Sequence, residues 1–179
     1  MVGTPGPANM LMMSAAVRHG YLKLLPFLLG LIIGKFAINI SISFGLATFL
    51  FSHPHASSIF AYISAGVMTY LVLKGWTPKG DSAAGDKAFG ILTGVIVHPL
   101  NPKAWVMCTL AYTQFSGGFE TGFERYALIP ISFIFVQLTF HSLWGLAGAL
   151  LKKQLSENLL MHRALILLTL AVILWALFR

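Results

Sequence analysis

The chain has 179 residues, 57% hydrophobic and 9% charged, against roughly 25% charged in an ordinary soluble domain. A core of that size cannot hide so much apolar surface behind so few charges, so a soluble fold is not expected and lipid must cover much of the outside. The net charge of +7 arises from 12 Lys and Arg against 5 Asp and Glu; these basic residues stand singly between apolar runs, which argues against a nucleic-acid surface. The lone cysteine, Cys108, rules out an internal disulfide and any multi-cysteine metal or redox motif, and reads as a packed apolar residue.

In chain order, the first feature is Thr4-Pro5-Gly6-Pro7-Ala8-Asn9, a sequence no continuous helix accommodates easily. The apolar stretch 10–17 that follows is too short to cross a hydrocarbon layer that takes about 20 helical residues. It reads as the second half of a broken span, whose first half would lie before Met1. No basic region ahead of an apolar stretch marks a cleaved signal peptide. Five further runs meet or approach the spanning length, at 26–51, 59–76, 88–112, 126–151 and 159–178. None alternates apolar and polar as barrel strands do. The expected fold is therefore all-α: a polytopic membrane protein with five full transmembrane helices and a partial first one.

Lys and Arg in short loops stay on the cytoplasmic side. Arg18, Lys23, Lys74, Lys79, Lys87, Lys152, Lys153 and Arg163, eight in all, fall in the first, third and fifth polar stretches. The second stretch has none; the fourth has Arg125 and the chain end Arg179, two in all. The odd loops are expected in the cytoplasm, with both chain ends on the other side. Tyr112, Tyr126 and Trp175 would then lie near the outer interface and Trp76 near the inner one.

Helix-breaking prolines return about 95 residues later, in His98-Pro99-Leu100-Asn101-Pro102-Lys103. This spacing divides six crossings into two groups of three, and an odd number of crossings makes the second group enter from the opposite side. The expected organisation is one transporter domain, residues 1–179, as two inverted three-helix repeats, 1–76 and 88–179, joined by a cytoplasmic linker at 77–87. Gly30 with Gly34 and Gly90 with Gly94 are small residues four apart, which let helix backbones approach closely.

A break within the membrane leaves backbone groups that only protein or a water-filled cavity can satisfy. Half-helix N-termini favour a substrate carboxylate, and loose carbonyls can hold its ammonium group. The candidate substrate-binding and helix-break residues are accordingly Pro5, Gly6, Pro7, Asn9, Asn101, Pro102 and Lys103. Lys35 lies well inside its span, where a lysine costs about 2.5–3.5 kcal/mol, so a partner is expected; Asn39 is one turn further on the same face. Snorkelling toward an interface is the other reading of Lys35. His98, His141 and Gln137, one turn before His141, are further intramembrane polar groups. All acidic residues, Asp81, Asp86, Glu120, Glu124 and Glu157, lie in loops. A proton relay would therefore use His98 or His141, with Lys35 and Asn39 setting the charge of the cavity. His53 and His55, without a further ligand, make no metal site, and no cofactor is expected.

The first break with Arg18-His19-Gly20, and the later Asn101-Pro102-Lys103-Ala104-Trp105, closely resemble the two signature segments of the lysine exporter and threonine/homoserine efflux family of bacterial inner-membrane transporters. The similarity extends through 66–75 and from Arg163 to the end, and leans toward exporters of cysteine, O-acetylserine and related neutral amino acids. It implies proton-driven, multi-pass export of amino acids or small derivatives from the cytoplasm. Family members usually carry some fifteen to twenty apolar residues before the first motif, where this chain has three, Met1-Val2-Gly3. Many also have an acidic residue where His141 stands, three before Trp144. The expected partners are a small zwitterionic metabolite, protons and lipid, with a homo-oligomer left open. The rival reading is a truncated, non-transporting membrane scaffold or inactive paralogue. An enzyme is not expected, because the spans hold no Gly-x-Ser-x-Gly, no His-Glu-x-x-His and no carboxylate pair.

Overall fold

The computed structural model describes residues 2–43, 45, 52–73, 89–115, 118 and 122–177, without the side chains of 43, 122, 125, 155, 156, 176 and 177. The expected linker at 77–87, the end of the first long run, and Lys74, Trp76, Glu120 and Arg179 lie outside the described residues. The helices are α1 (Pro7–His19), α2 (Leu25–Ser43), α3 (Pro54–Leu73), α4 (Ile91–Val97), α5 (Pro102–Phe115), α6 (Gly122–Leu150), α7 (Lys152–Glu157) and α8 (Leu159–Leu177), with a 3₁₀ turn at Leu22–Leu24 between the first two.

Among the described residues, three stretches are long and apolar enough to cross a membrane: Leu22–Ile42, Pro54–Leu73 and Tyr126–Leu150, while Leu159–Trp175 forms a shorter apolar helix. The run at 88–112 is not one helix. It divides at residues 98–101 into α4, with 7 residues, and α5, with 14. Together these supply about 31 Å of helix at 1.5 Å per residue, enough to cross as a broken pair. Helix α3 begins earlier than residue 59, because Pro54 suits the first helical position, where its missing N–H costs nothing.

Helix α1, too short to span, lies at the centre of the bundle, and nine of its 13 residues are buried around its circumference. That placement suits a helix with little amphipathic character. It starts at Pro7 after an extended Gly6 and stops at Gly20, whose φ of +82° is one that side chains rarely adopt.

Two close helix pairs organise the rest. Helix α2 packs on α4 through Gly30, Gly34 and Gly94: a Cβ on Gly30 would lie 2.8 Å from the Gly94 Cα and would also strike the Ile91 carbonyl. Gly90 instead caps α4. Helix α6 packs on α1 in the same manner, with Gly148 against the Met13 carbonyl and Gly145 against Met12 and Tyr21. Helices α2 and α6 also meet, as do α3 and α8.

The helices are inside-out relative to a soluble bundle. On α2, Ile33 and Phe36 are 42% and 44% exposed while Lys35 is 0% exposed. On α6, Phe135, Leu138 and Leu143 face outward, while Gln137, His141, Gly145 and Gly148 form the inward stripe at spacings of four, four and three. Apolar side chains turned out and polar ones turned in suit a lipid surround and a polar interior.

Candidate functional site

The two chain breaks meet inside the bundle. Between them lies a narrow cavity of about 30 Å³, lined by Val2, Thr4, Gly6, Ala8, Asn9, Lys35, His98, Asn101, Lys103, Ala104, Met107, Gln137 and His141. An adjoining cavity of about 20 Å³ shares Asn101 and is walled by Pro7 and Pro102 together with Ser64 and Met68 of α3. The polar residues singled out in the sequence therefore come together from four helices and both breaks. Asn39 is the exception. It is buried one turn beyond Lys35, and its Nδ2 donates to the Lys35 backbone carbonyl at 3.0 Å rather than lining the cavity.

Non-helical backbone at this depth must find internal partners, and the carbonyls of the first break do so. Asn9 Nδ2 donates to the Val2 carbonyl at 2.7 Å and to the Thr4 carbonyl at 2.9 Å. The Trp144 indole donates to the Gly3 carbonyl at 3.1 Å. Lys103 Nζ donates to the Pro5 carbonyl at 3.1 Å and to Thr4 Oγ1 at 2.8 Å, and the Met10 N–H reaches the Gly6 carbonyl at 2.9 Å. Five successive carbonyls, from Val2 to Gly6, are thus satisfied, and none is loose. In the second break, Asn101 caps α5 by accepting the Lys103 N–H on Oδ1 at 3.1 Å, and the Trp105 indole holds the Pro99 carbonyl at 2.8 Å.

The Asn9 amide also fixes the direction of a histidine pair. With Nδ2 committed to two carbonyls, Oδ1 must accept, so His141 Nδ1 donates to it at 2.6 Å. In the neutral pair, His141 Nε2 then accepts from His98 Nε2 at 3.2 Å, which leaves His98 Nδ1 as a bare lone pair. That nitrogen is buried and has no hydrogen-bond partner.

The two lysines differ. Lys103 is engaged with the first break, whereas the Lys35 ammonium has no hydrogen-bond partner and sits 4.8 Å from the centroid of the Phe133 ring, with Cys108 as a further neighbour. The Oε1 of Gln137 is likewise buried and unpartnered. No carboxylate lines the cavity among the described residues.

Sequence reasoning did not single out Thr4, Trp105, Trp144 or Phe133 as site residues. Phe133 was within reach, since Phe133, Gln137 and His141 repeat every four residues on one helix face.

The whole chain matches one family model: LysE type translocator, over residues 1–178. The chain belongs to the LysE type translocator family. No curated protein and no solved structure matches it. As a LysE type translocator it is a multi-pass membrane transport protein and not an enzyme, and the family's role is amino-acid export. The cavity lies between the start of α1 and the break that separates α4 from α5.

Proposed function

We propose that this LysE type translocator moves amino acids or small amino-acid derivatives out of the cytoplasm by alternating access, driven by the proton gradient across a bacterial inner membrane. The observation that carries the reading is the single cavity into which both breaks and the buried Lys35, His98, Gln137 and His141 converge. Polar side chains this deep in lipid-facing helices are costly and mark transport pathways.

The packing supports two inverted repeats, 1–76 and 88–179, joined through 77–87. Exchanging α1 with the α4–α5 pair, α2 with α6, and α3 with α8 turns the α2–α4 contact into the α6–α1 contact. The same exchange leaves the α2–α6 and α3–α8 contacts in place. Orientation with both termini periplasmic is supported by the basic ends. Gly148 lies against Met13 and Ala16, so the end of α6 and the Lys152-Lys153 pair after it come down beside the last turn of α1, with Arg18 and His19.

The His98–His141 pair is the proton carrier of this reading, because no carboxylate lines the cavity among the described residues. The test is efflux of labelled alanine from proteoliposomes holding the purified chain, with and without an acidic exterior. Efflux accelerated several-fold by the gradient is expected. Efflux of alanine, and of a wider amino-acid panel, that ignores the gradient would remove proton coupling, and no efflux at all would remove transport.

A further inference from the structure

We infer that Lys35 is the group that holds the substrate carboxylate, while Gln137 Oε1 and His98 Nδ1 receive its ammonium group, so that the cavity takes small amino acids of zero or negative net charge and rejects dibasic ones. This rests on the export reading above and assigns the recognition chemistry within it.

The argument starts from which polar atoms are still free. Asn9 spends its amide on Val2, Thr4 and His141, and Lys103 spends its ammonium on Thr4 and Pro5. These residues build the breaks, and each carbonyl they bind already has a donor. Among the described lining residues, the fully buried side-chain atoms without a hydrogen-bond partner are Lys35 Nζ, Gln137 Oε1 and His98 Nδ1, on residues 0%, 1% and 4% exposed. An unpaired buried donor or acceptor is unfavourable until a partner reaches it.

The free set is complementary to a zwitterion. It has one cationic donor for a carboxylate and two neutral acceptors for an ammonium. A dibasic amino acid would bring a net positive charge into a space that already holds Lys35 and Lys103 with no carboxylate among the described lining residues. At low effective dielectric that repulsion is strong. The cavity as it stands is narrow, about 30 Å³, room for a water or two, so a substrate enters only when the helices part further, and a short side chain asks for the least widening.

The same assignment gives a reason for exchange. A proton arriving at His98 Nδ1 occupies the lone pair that receives the substrate ammonium, and it adds a cation beside Lys35. Proton and substrate then exclude one another, as antiport requires. The groups facing His98 are Lys35 from α2 and His141 from α6; Asn9 of α1 does not titrate, and Lys103 and Cys108 of α5 adjoin Lys35.

The experiment is a competition and stabilisation series on the full chain with alanine, aspartate, lysine, propionate and ethylamine, the last two being alanine without its ammonium or its carboxylate. Thermal stabilisation in detergent reads binding, and exchange of labelled alanine in proteoliposomes reads transport. Alanine and aspartate are expected to bind, with lysine and ethylamine weaker by about 10- to 100-fold, the scale of one charge-assisted contact. Propionate is expected to retain more affinity than ethylamine. Lys35→Met should weaken alanine by a similar factor and Lys35→Arg by less. If Lys35→Met fails to fold, the wild-type series decides alone. Lysine or ethylamine binding within about threefold of alanine overturns the assignment, even where export proceeds, as does the absence of binding by any amino acid. Binding in the expected order without gradient-driven efflux would instead sink the export reading and leave this assignment standing. Alanine binding that does not weaken as the pH is lowered from about 8 to about 4 would overturn the competition at His98.

Discussion

Replacing Asn9 by Leu separates two roles that an asparagine at a helix break can have. As a substrate ligand, its loss would raise the half-saturating concentration and leave the protein intact. The geometry gives it a different task. Its amide makes three contacts, donating to Val2 O and Thr4 O at 2.7 and 2.9 Å and accepting from His141 Nδ1 at 2.6 Å. Leucine has the same side-chain branching and number of heavy atoms, though bulkier methyl groups, and strands two carbonyls and one imidazole N–H in a site where Asn9 itself is only 4% exposed. Each stranded group costs about 1–3 kcal/mol, and neighbouring losses are not additive, so the expected destabilisation is about 3–5 kcal/mol. The assay is thermal unfolding of the purified chain followed by size-exclusion chromatography, alongside exchange of labelled alanine. Asn9→Leu should lower the unfolding temperature by many degrees and reduce exchange with it. An unfolding temperature within a degree or two of wild type, combined with a raised half-saturating concentration, would refute the reasoning and return Asn9 to the substrate.

Gly30→Ala should separate α2 from α4 and cost about 1–3 kcal/mol, because the added Cβ meets backbone at Ile91 and Gly94, whereas Gly66→Ala, with open space around it, should be neutral or slightly stabilising. Thermal unfolding of the two variants side by side checks this, and equal midpoints would refute it. Trp105→Phe keeps the ring that packs edge-on to Phe60 but removes the N–H from the Pro99 carbonyl; a loss of about 1–3 kcal/mol is expected by the same assay. Lys103→Met should destabilise the first break, lowering the unfolding temperature and with it the exchange of alanine, since its ammonium is committed to Thr4 and Pro5; an unchanged unfolding temperature would refute this. His141→Phe should remove the gradient dependence of alanine efflux while some exchange of alanine for alanine persists; gradient-driven efflux at the wild-type rate would remove His141 from proton transfer.

The apolar runs, both breaks and the members of the cavity were legible in the sequence, because each follows from local chemistry. Prolines 95 positions apart, at Pro7 and Pro102, declare two helix starts, and a lysine such as Lys35 in the middle of an apolar run must face inward. What the sequence could not tell was which polar atoms the breaks consume. Asn9, Lys35, Lys103 and His141 look equivalent as intramembrane polar residues. They differ only through contacts at long separation: Lys103 to Pro5, His141 to Asn9, and Trp144 to Gly3. Local periodicity carries no information about those pairings. The same limit explains Asn39, whose spacing from Lys35 puts the two on one face but does not decide that its amide turns back to the helix backbone.

This division between committed and free groups bears on how the cavity could open. The first break is tied to the rest of the molecule by contacts from two elements of the second half: Lys103 of α5, and Trp144 and His141 of α6. The close glycine contacts, α2 on α4 and α1 on α6, each join a helix before residue 76 to one after residue 88 over backbone, and such surfaces resist separation because no side chain is present to adjust. If one body moves against another in transport, it is easiest to picture α2 travelling with α4 and α1 travelling with α6. The surface between those two pairs is then where access alternates. It carries Lys35 and His98 on one side and Asn9, Gln137 and His141 on the other. Besides the packing of α2 on α6, the His98–His141 hydrogen bond and the placement of Lys35 over Phe133 cross it. Both involve an atom or group assigned here to the proton or the substrate, so the chemistry of binding and the mechanics of opening would act at the same surface.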